Sequence, residues 1–284
     1  MTLSRRVFLA AGLSPAAGLL AQGKLEGLKI GVTDWNLRMA GKVEAVALAK
    51  RLGFEGVEVS LGRKPVDGKL PLDNPDLQAQ YRAECKQQGI AVASTCLDIL
   101  HVNYLKSDKL GQKWLADGIA ATRRLNTDVM LLPFFGKGAL QTREEMDYVG
   151  DILKELGREA EKARILLGLE DTISAEDNVR IMERSQSKAV QVFYDVGNST
   201  NAGFDPVAEL RWLGRRRICQ IHLKDRGYLG EGKIDFPAVM RAIADIGYQG
   251  FADLETSSPS KSVEDDMRRN LAFVRDLIEK TRRG

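Results

Sequence analysis

Four residues in this chain are of types and spacings that could do chemistry together. Glu170, Asp195, His222 and Glu255 each close a short apolar run: Leu169-Glu170-Asp171, Tyr194-Asp195-Val196-Gly197-Asn198, Ile221-His222-Leu223-Lys224-Asp225 and Asp253-Leu254-Glu255-Thr256. They lie 25, 27 and 33 residues apart, each gap about one strand-plus-helix unit. Taken alone, any of them reads as a cap or a turn contact. Taken together, three carboxylates drawn to one place repel one another unless a cation lies between them. Three acids and one neutral imidazole form an oxygen-rich set that suits Mn²⁺ or Mg²⁺, with Co²⁺ or Zn²⁺ also accommodated. Open coordination positions would remain for water or neighbouring substrate oxygens.

The surrounding elements explain how such residues could meet. From Leu28 onward, short β-rich runs alternate with helical patterns. The runs are Leu28–Trp35, Gly56–Leu61, Ile90–Leu97, Asp128–Phe134, Ile165–Glu170, Val190–Val196, Ile218–Leu223 and Gly250–Glu255. Several are almost continuously apolar, as parallel strands covered on both faces must be. Between them, Phe236, Val239, Met240, Ile243 and Ile246 keep helical spacing, as do Val263, Met267, Leu271, Val274 and Ile278. Gly53, Gly89 and Gly247 stand where helix-ending glycines belong. Eight such units predict an α/β fold, a closed (β/α)₈ TIM barrel in a single domain over residues 25–284. An open doubly wound sheet would want a glycine-rich phosphate turn after its first strand, and Thr33-Asp34-Trp35-Asn36 is not one. In a barrel, strand C-termini share one rim, so the four residues would face a common centre.

Bulk composition narrows the rest. A hydrophobic fraction of 44% with 29% charged residues fits a chain with a large core and excludes disorder. The first 21 residues carry only Arg5 and Arg6 as charges, so losing them takes the formal charge from +3 to +1 and leaves no electrostatic reason for nucleic-acid binding. Cys85, Cys96 and Cys219 are odd in number and form no C-x-x-C pair, which argues for reduced thiols.

Ser4-Arg5-Arg6-Val7-Phe8-Leu9 precedes the small, apolar run Ala10 to Ala21. A charged start before a short apolar stretch is the layout of a secretory signal, too short to leave a stable membrane span. The paired arginines resemble a twin-arginine signal, so residues 1–24 are expected to engage the twin-arginine export machinery and deliver a folded protein to the periplasm or beyond. Assembly into a homo-oligomer is compatible with this sequence, which does not specify it.

The chain resembles the xylose isomerase-like barrel superfamily, in its sugar phosphate isomerase/epimerase branch. That branch includes ketose 3-epimerases, hydroxypyruvate isomerases and inosose dehydratases. The resemblance spans about residues 28–280. It rests on Gly53-Phe54-Glu55-Gly56-Val57-Glu58-Val59, Gly168-Leu169-Glu170, Tyr194-Asp195-Val196-Gly197-Asn198, His222-Leu223-Lys224-Asp225, the run from Leu229 to Phe236, and Asp253-Leu254-Glu255. It implies that Glu170, Asp195, His222 and Glu255 hold the metal and that Glu170 and Glu255 also transfer protons, as catalytic residues. The implied activity is isomerisation or epimerisation of a sugar or keto-sugar through an enediolate, with a lyase or dehydratase acting on a keto-sugar, keto-glycoside or cyclitol as the alternative. Many relatives carry histidine at the position of Asn198, which can hydrogen-bond a hydroxyl but cannot shuttle a proton near neutral pH. The three-zinc endonucleases of the superfamily need several histidines, and this chain has two.

Other strand ends supply candidates for substrate binding. Trp35 could stack on a sugar face. Glu58 could bind hydroxyls or brace a ligand, and Lys224 and Asp225 could support His222 or reach substrate. His101 is expected to make only a loop contact. Glu231, within the turn formed by Gly227, Gly230 and Gly232, argues against an anion there, and so for an unphosphorylated substrate.

Overall fold

The structure is a computed structural model that describes residues 25–283. The segment read as an export signal, residues 1–24, lies outside the described residues.

Eight parallel strands close into a barrel in chain order. They are β1 (Leu28–Thr33), β2 (Gly56–Ser60), β3 (Ala91–Cys96), β4 (Val129–Pro133), β5 (Leu166–Glu170), β6 (Val190–Asp195), β7 (Ile218–Leu223) and β8 (Gly250–Leu254). All eight fall within the predicted runs. Closure comes from β8 pairing with β1, from Leu28 opposite Gly250 to Val32 opposite Leu254.

The helices are α1 (Glu44–Leu52), α2 (Pro75–Gln88), α3 (Lys109–Arg124), α4 (Arg143–Ala163), α5 (Ala175–Ser185), α6 (Val196–Ala202), α7 (Pro206–Leu213), α8 (Phe236–Asp245) and α9 (Val263–Arg283). Apolar stripes on these helices pack on the outside of the barrel, as with Val239, Met240 and Ile243 of α8 or Met267, Leu271 and Val274 of α9. α1 stops because Gly53 takes φ 99°, a left-handed conformation that returns its N–H to Ala49 and Lys50. One detail departs from the eight simple units: the β6–β7 connection holds two helices. The short α6 begins at once after β6 because Asp195, the last strand residue, caps it.

Two registers set the height of the candidate residues. Asp195 on β6 lies opposite His222 on β7, after a register shift between Val192 and Phe193. His222 in turn lies opposite Asp253 on β8, so Glu255 stands just past the strand end, one layer higher. Below that level the barrel carries buried polar side chains. Gln220 on β7 donates to Ser94 on β3 (2.8 Å) and to Asp253. Gly31 on β1 is what makes room for Asp253, since a β-carbon there would collide with its carboxylate.

Candidate metal centre and substrate cavity

Each of the four predicted residues is delivered by a different strand of the β5–β8 half of the rim. Glu170 ends β5, Asp195 ends β6, His222 is the penultimate residue of β7, and Glu255 follows β8. One ligand atom from each lies within 4.8 Å of all the others. His222 Nδ1 stands 3.1 Å from Glu170 Oε1, 3.6 Å from Glu255 Oε2 and 3.8 Å from Asp195 Oδ2.

The donor set fits a cation. Asp195 uses Oδ1 to accept from the backbone N–H groups of Gly197 (2.7 Å) and Asn198 (2.8 Å). Its Oδ2 is buried without a hydrogen bond and faces both the cluster and the Lys224 ammonium, 3.5 Å away. A buried acceptor without a hydrogen bond is costly; Lys224 offsets part of that cost by charge, and a cation at the shared point would offset more. The oxygen-rich set with one imidazole nitrogen suits a divalent ion.

Electrostatics agree with this crowding. Burial pushes the carboxyls of Glu170 and Asp195 above the usual range. For His222, burial opposes protonation, but Glu58 and Glu170 override it and raise the imidazole well above its ordinary value. Burial also works against the Glu255 carboxylate, yet His222 and Lys224 together hold it below the usual range. The cluster thus retains protons to offset its negative charge, and a divalent ion would offset the same charge by releasing them.

The other predicted residues divide clearly. Trp35 donates from Nε1 to Glu255 Oε1 (3.1 Å), Lys224 Nζ to Glu255 Oε2 (2.8 Å), and Asn198 Nδ2 to Glu170 Oε1 (3.3 Å). These three residues, with Glu170 and Glu255, line one cavity of about 690 Å³ at the barrel mouth. Glu58 does not. It is fully buried beneath the cluster, with Oε2 2.7 Å from His222 Nε2. Of the two roles read for Glu58, the geometry matches bracing and leaves no path to substrate. Asp225 is not brought to the cavity either. Its carboxylate accepts from the backbone of Arg226, Gly230 and Gly232, which pins the glycine-rich turn and occupies N–H groups an anion would need.

Sequence reasoning missed the opposite side of the mouth. His101, expected in a loop contact, ends a short 3₁₀ turn after β3, lines the cavity and stacks on Phe135 with ring centroids 6.2 Å apart. Asp98 and Arg63 line it too, paired at 3.4 Å. Asp98 follows β3 as Asp171 follows β5, and that parallel was a readable signal. Nothing in the local sequence marked Arg63 or Phe135.

A closed parallel barrel whose rim gathers three carboxylates and an imidazole beside a deep cavity defines a (β/α)₈ barrel of the metal-site type. The chain belongs to the xylose isomerase-like TIM barrel family, whose model matches residues 46–277. Over 160 residues it is 30% identical to an inosose dehydratase of Geobacillus thermodenitrificans, covering 44% of this chain and about half (52%) of that protein. Its fold is similar to that of an L-ribulose 3-epimerase, at TM-score 0.73 and 18% identity over 90% of this chain and 96% of the other. It is likewise similar to the IOLI protein with a zinc atom, at TM-score 0.71 and 15% identity over 89% and 99% of the two chains. Among the described residues, no helix is long and apolar enough to cross a membrane.

Proposed function

We propose that this protein is a divalent-metal-dependent isomerase or epimerase of a sugar or keto-sugar, acting through an enediolate. The observation that carries the reading is the placement of Glu170 and Glu255, which belong to the four-residue cluster and also line the same cavity. A divalent ion held by Glu170, Asp195, His222 and Glu255 would polarise a substrate carbonyl and make the adjacent C–H more acidic. Mn²⁺ or Mg²⁺ fits this ligand set best, with Co²⁺ or Zn²⁺ as alternatives.

Both glutamates belong to the cluster and line the cavity, which places them to share acid and base roles. One would remove the proton from the carbon beside the substrate carbonyl. The other would return a proton to the enediolate. Return to the other face of the same carbon gives epimerisation, and return to the neighbouring carbon gives isomerisation. Trp35 and Lys224 orient Glu255, and Asn198 orients Glu170, at the distances given above. Asn198 and Lys224 also present donors to substrate hydroxyls from the cavity wall.

The partial match to an inosose dehydratase favours one second reading. If a hydroxyl leaves the carbon next to the enediolate, the same proton abstraction becomes elimination of water. A screen of keto-sugars with added Mn²⁺ in heavy water, read by mass spectrometry, separates these outcomes. Deuterium uptake at constant skeleton supports isomerisation or epimerisation, loss of water supports the dehydratase, and no exchange with any keto-sugar removes both. We further propose export through the paired arginines. A fusion of residues 1–30 to a reporter should lose export when Arg5 and Arg6 are both replaced by lysine, and export that survives rules out the twin-arginine route.

A further inference from the structure

The cavity is larger and more asymmetric than one sugar ring requires. At about 690 Å³ it falls within the roughly 300–1,000 Å³ of sites that enclose drug-sized ligands. All four candidate ligands come from the β5–β8 half of the rim, and the loops after β2, β3 and β4 wall the other half.

That second half is built for a ring. His101 and Phe135 lie with their planes 24° apart, and both are only partly buried. Pro71 and Leu72 add apolar wall beside them. Asp98 is fixed, its Oδ2 accepting from Ser60 Oγ (2.6 Å) and the Gly62 N–H (3.2 Å). Arg63 reaches its Oδ1 while leaving 60% of its own side chain exposed. A rigid acceptor beside an exposed guanidinium donor is suited to adjacent hydroxyls. Arg63 is paired with Asp98, and His101 is held below its ordinary pKa by burial and by Arg63, so the stacking rings themselves present no net charge, and Lys64 at the same wall adds a further donor for hydroxyls.

We propose that the half of the cavity formed by His101, Phe135, Arg63 and Asp98 binds a second, uncharged ring, so that the substrate is a glycoside whose aglycone or neighbouring sugar stacks there while its keto-sugar ring reacts at the carboxylate–histidine cluster. The choice of keto-sugar rests on the function proposed above, but the ring-binding half does not. Two measurements keep them separate. In the first, calorimetry on the full chain with Mn²⁺ compares phenyl β-glucoside with methyl β-glucoside. Binding at least about ten-fold tighter for the phenyl compound, with the difference cut about five-fold or more by Phe135→Ala, is the expected result. Equal affinities, or a phenyl preference that Phe135→Ala leaves intact, would overturn the subsite whether or not any substrate turns over. In the second, deuterium exchange compares 3-keto-glucose with phenyl 3-keto-β-glucoside, in which the ketone is free of the glycosidic carbon. A kcat/KM about ten-fold or more in favour of the glycoside, reduced through KM in Arg63→Ala, is expected. Equal kcat/KM for the two would overturn the glycoside assignment. Exchange with neither, despite the calorimetric preference, would remove the proton-transfer function and leave the ring site standing.

Discussion

Glu58 Oε2 lies 2.7 Å from His222 Nε2, on the opposite edge of the imidazole from the three carboxylates that face Nδ1. Both side chains are fully buried. With Nε2–H donated to Glu58, the ring presents Nδ1 to the cluster in the tautomer a cation needs. Glu58→Ala should therefore weaken Mn²⁺ binding by about 10–100-fold, measured by calorimetry on the folded variant. Unchanged affinity would show that the carboxylate does not set the ring.

Proton transfer makes a separate demand. Glu170→Gln and Glu255→Gln should each slow deuterium exchange by at least about 10²-fold. The measurement is made at saturating Mn²⁺, because both residues also belong to the cluster. A variant that exchanges at the wild-type rate would lose its assignment as acid or base.

Asp34 predicts a pH dependence of stability. Burial, countered in part by N–H groups of Gly41 and Ser60, raises its pKa from 3.8 to about 8. Between those values the folded chain keeps a proton that the unfolded chain has lost. Stability from this group is full below the window and falls as pH rises through it. Asp34→Asn should flatten that fall. Its melting temperature should drop less than wild type between about pH 5 and about pH 8.5, by roughly 2–4 °C for each 1 kcal/mol involved. Equal drops would place the effect elsewhere.

Gly31→Ala tests the packing under the site. The added methyl meets the Asp253 carboxylate and lies close to the Gly56 carbonyl, so either the buried acid or the β1 backbone must shift. We expect a loss of about 1–3 kcal/mol, seen as a lower urea midpoint. A neutral result would mean that Asp253 has room to move.

Much of the fold was legible locally. Each strand announced itself as an apolar run, and helix ends were marked by glycine, as at Gly53. The doubled helix between β6 and β7 was not legible, because α6 has no apolar stripe and depends on Asp195 as its cap. The four-residue cluster was legible because each member sits at or just beside the end of its own strand, where a polar residue after an apolar run is conspicuous. The roles of Glu58 and Asp225 were not. Both looked like rim residues, yet one turns inward beneath His222 and the other turns back on its own loop.

The chain's linear order determined which residue types end which strands, since hydropathy and turn chemistry act over a few neighbours. Barrel closure decided which atoms face one another. Contacts such as Trp35 with Glu255 and Glu58 with His222 join residues 220 and 164 positions apart. Their geometry follows from strand register and from the direction each side chain takes within a closed sheet, and no local pattern encodes that direction.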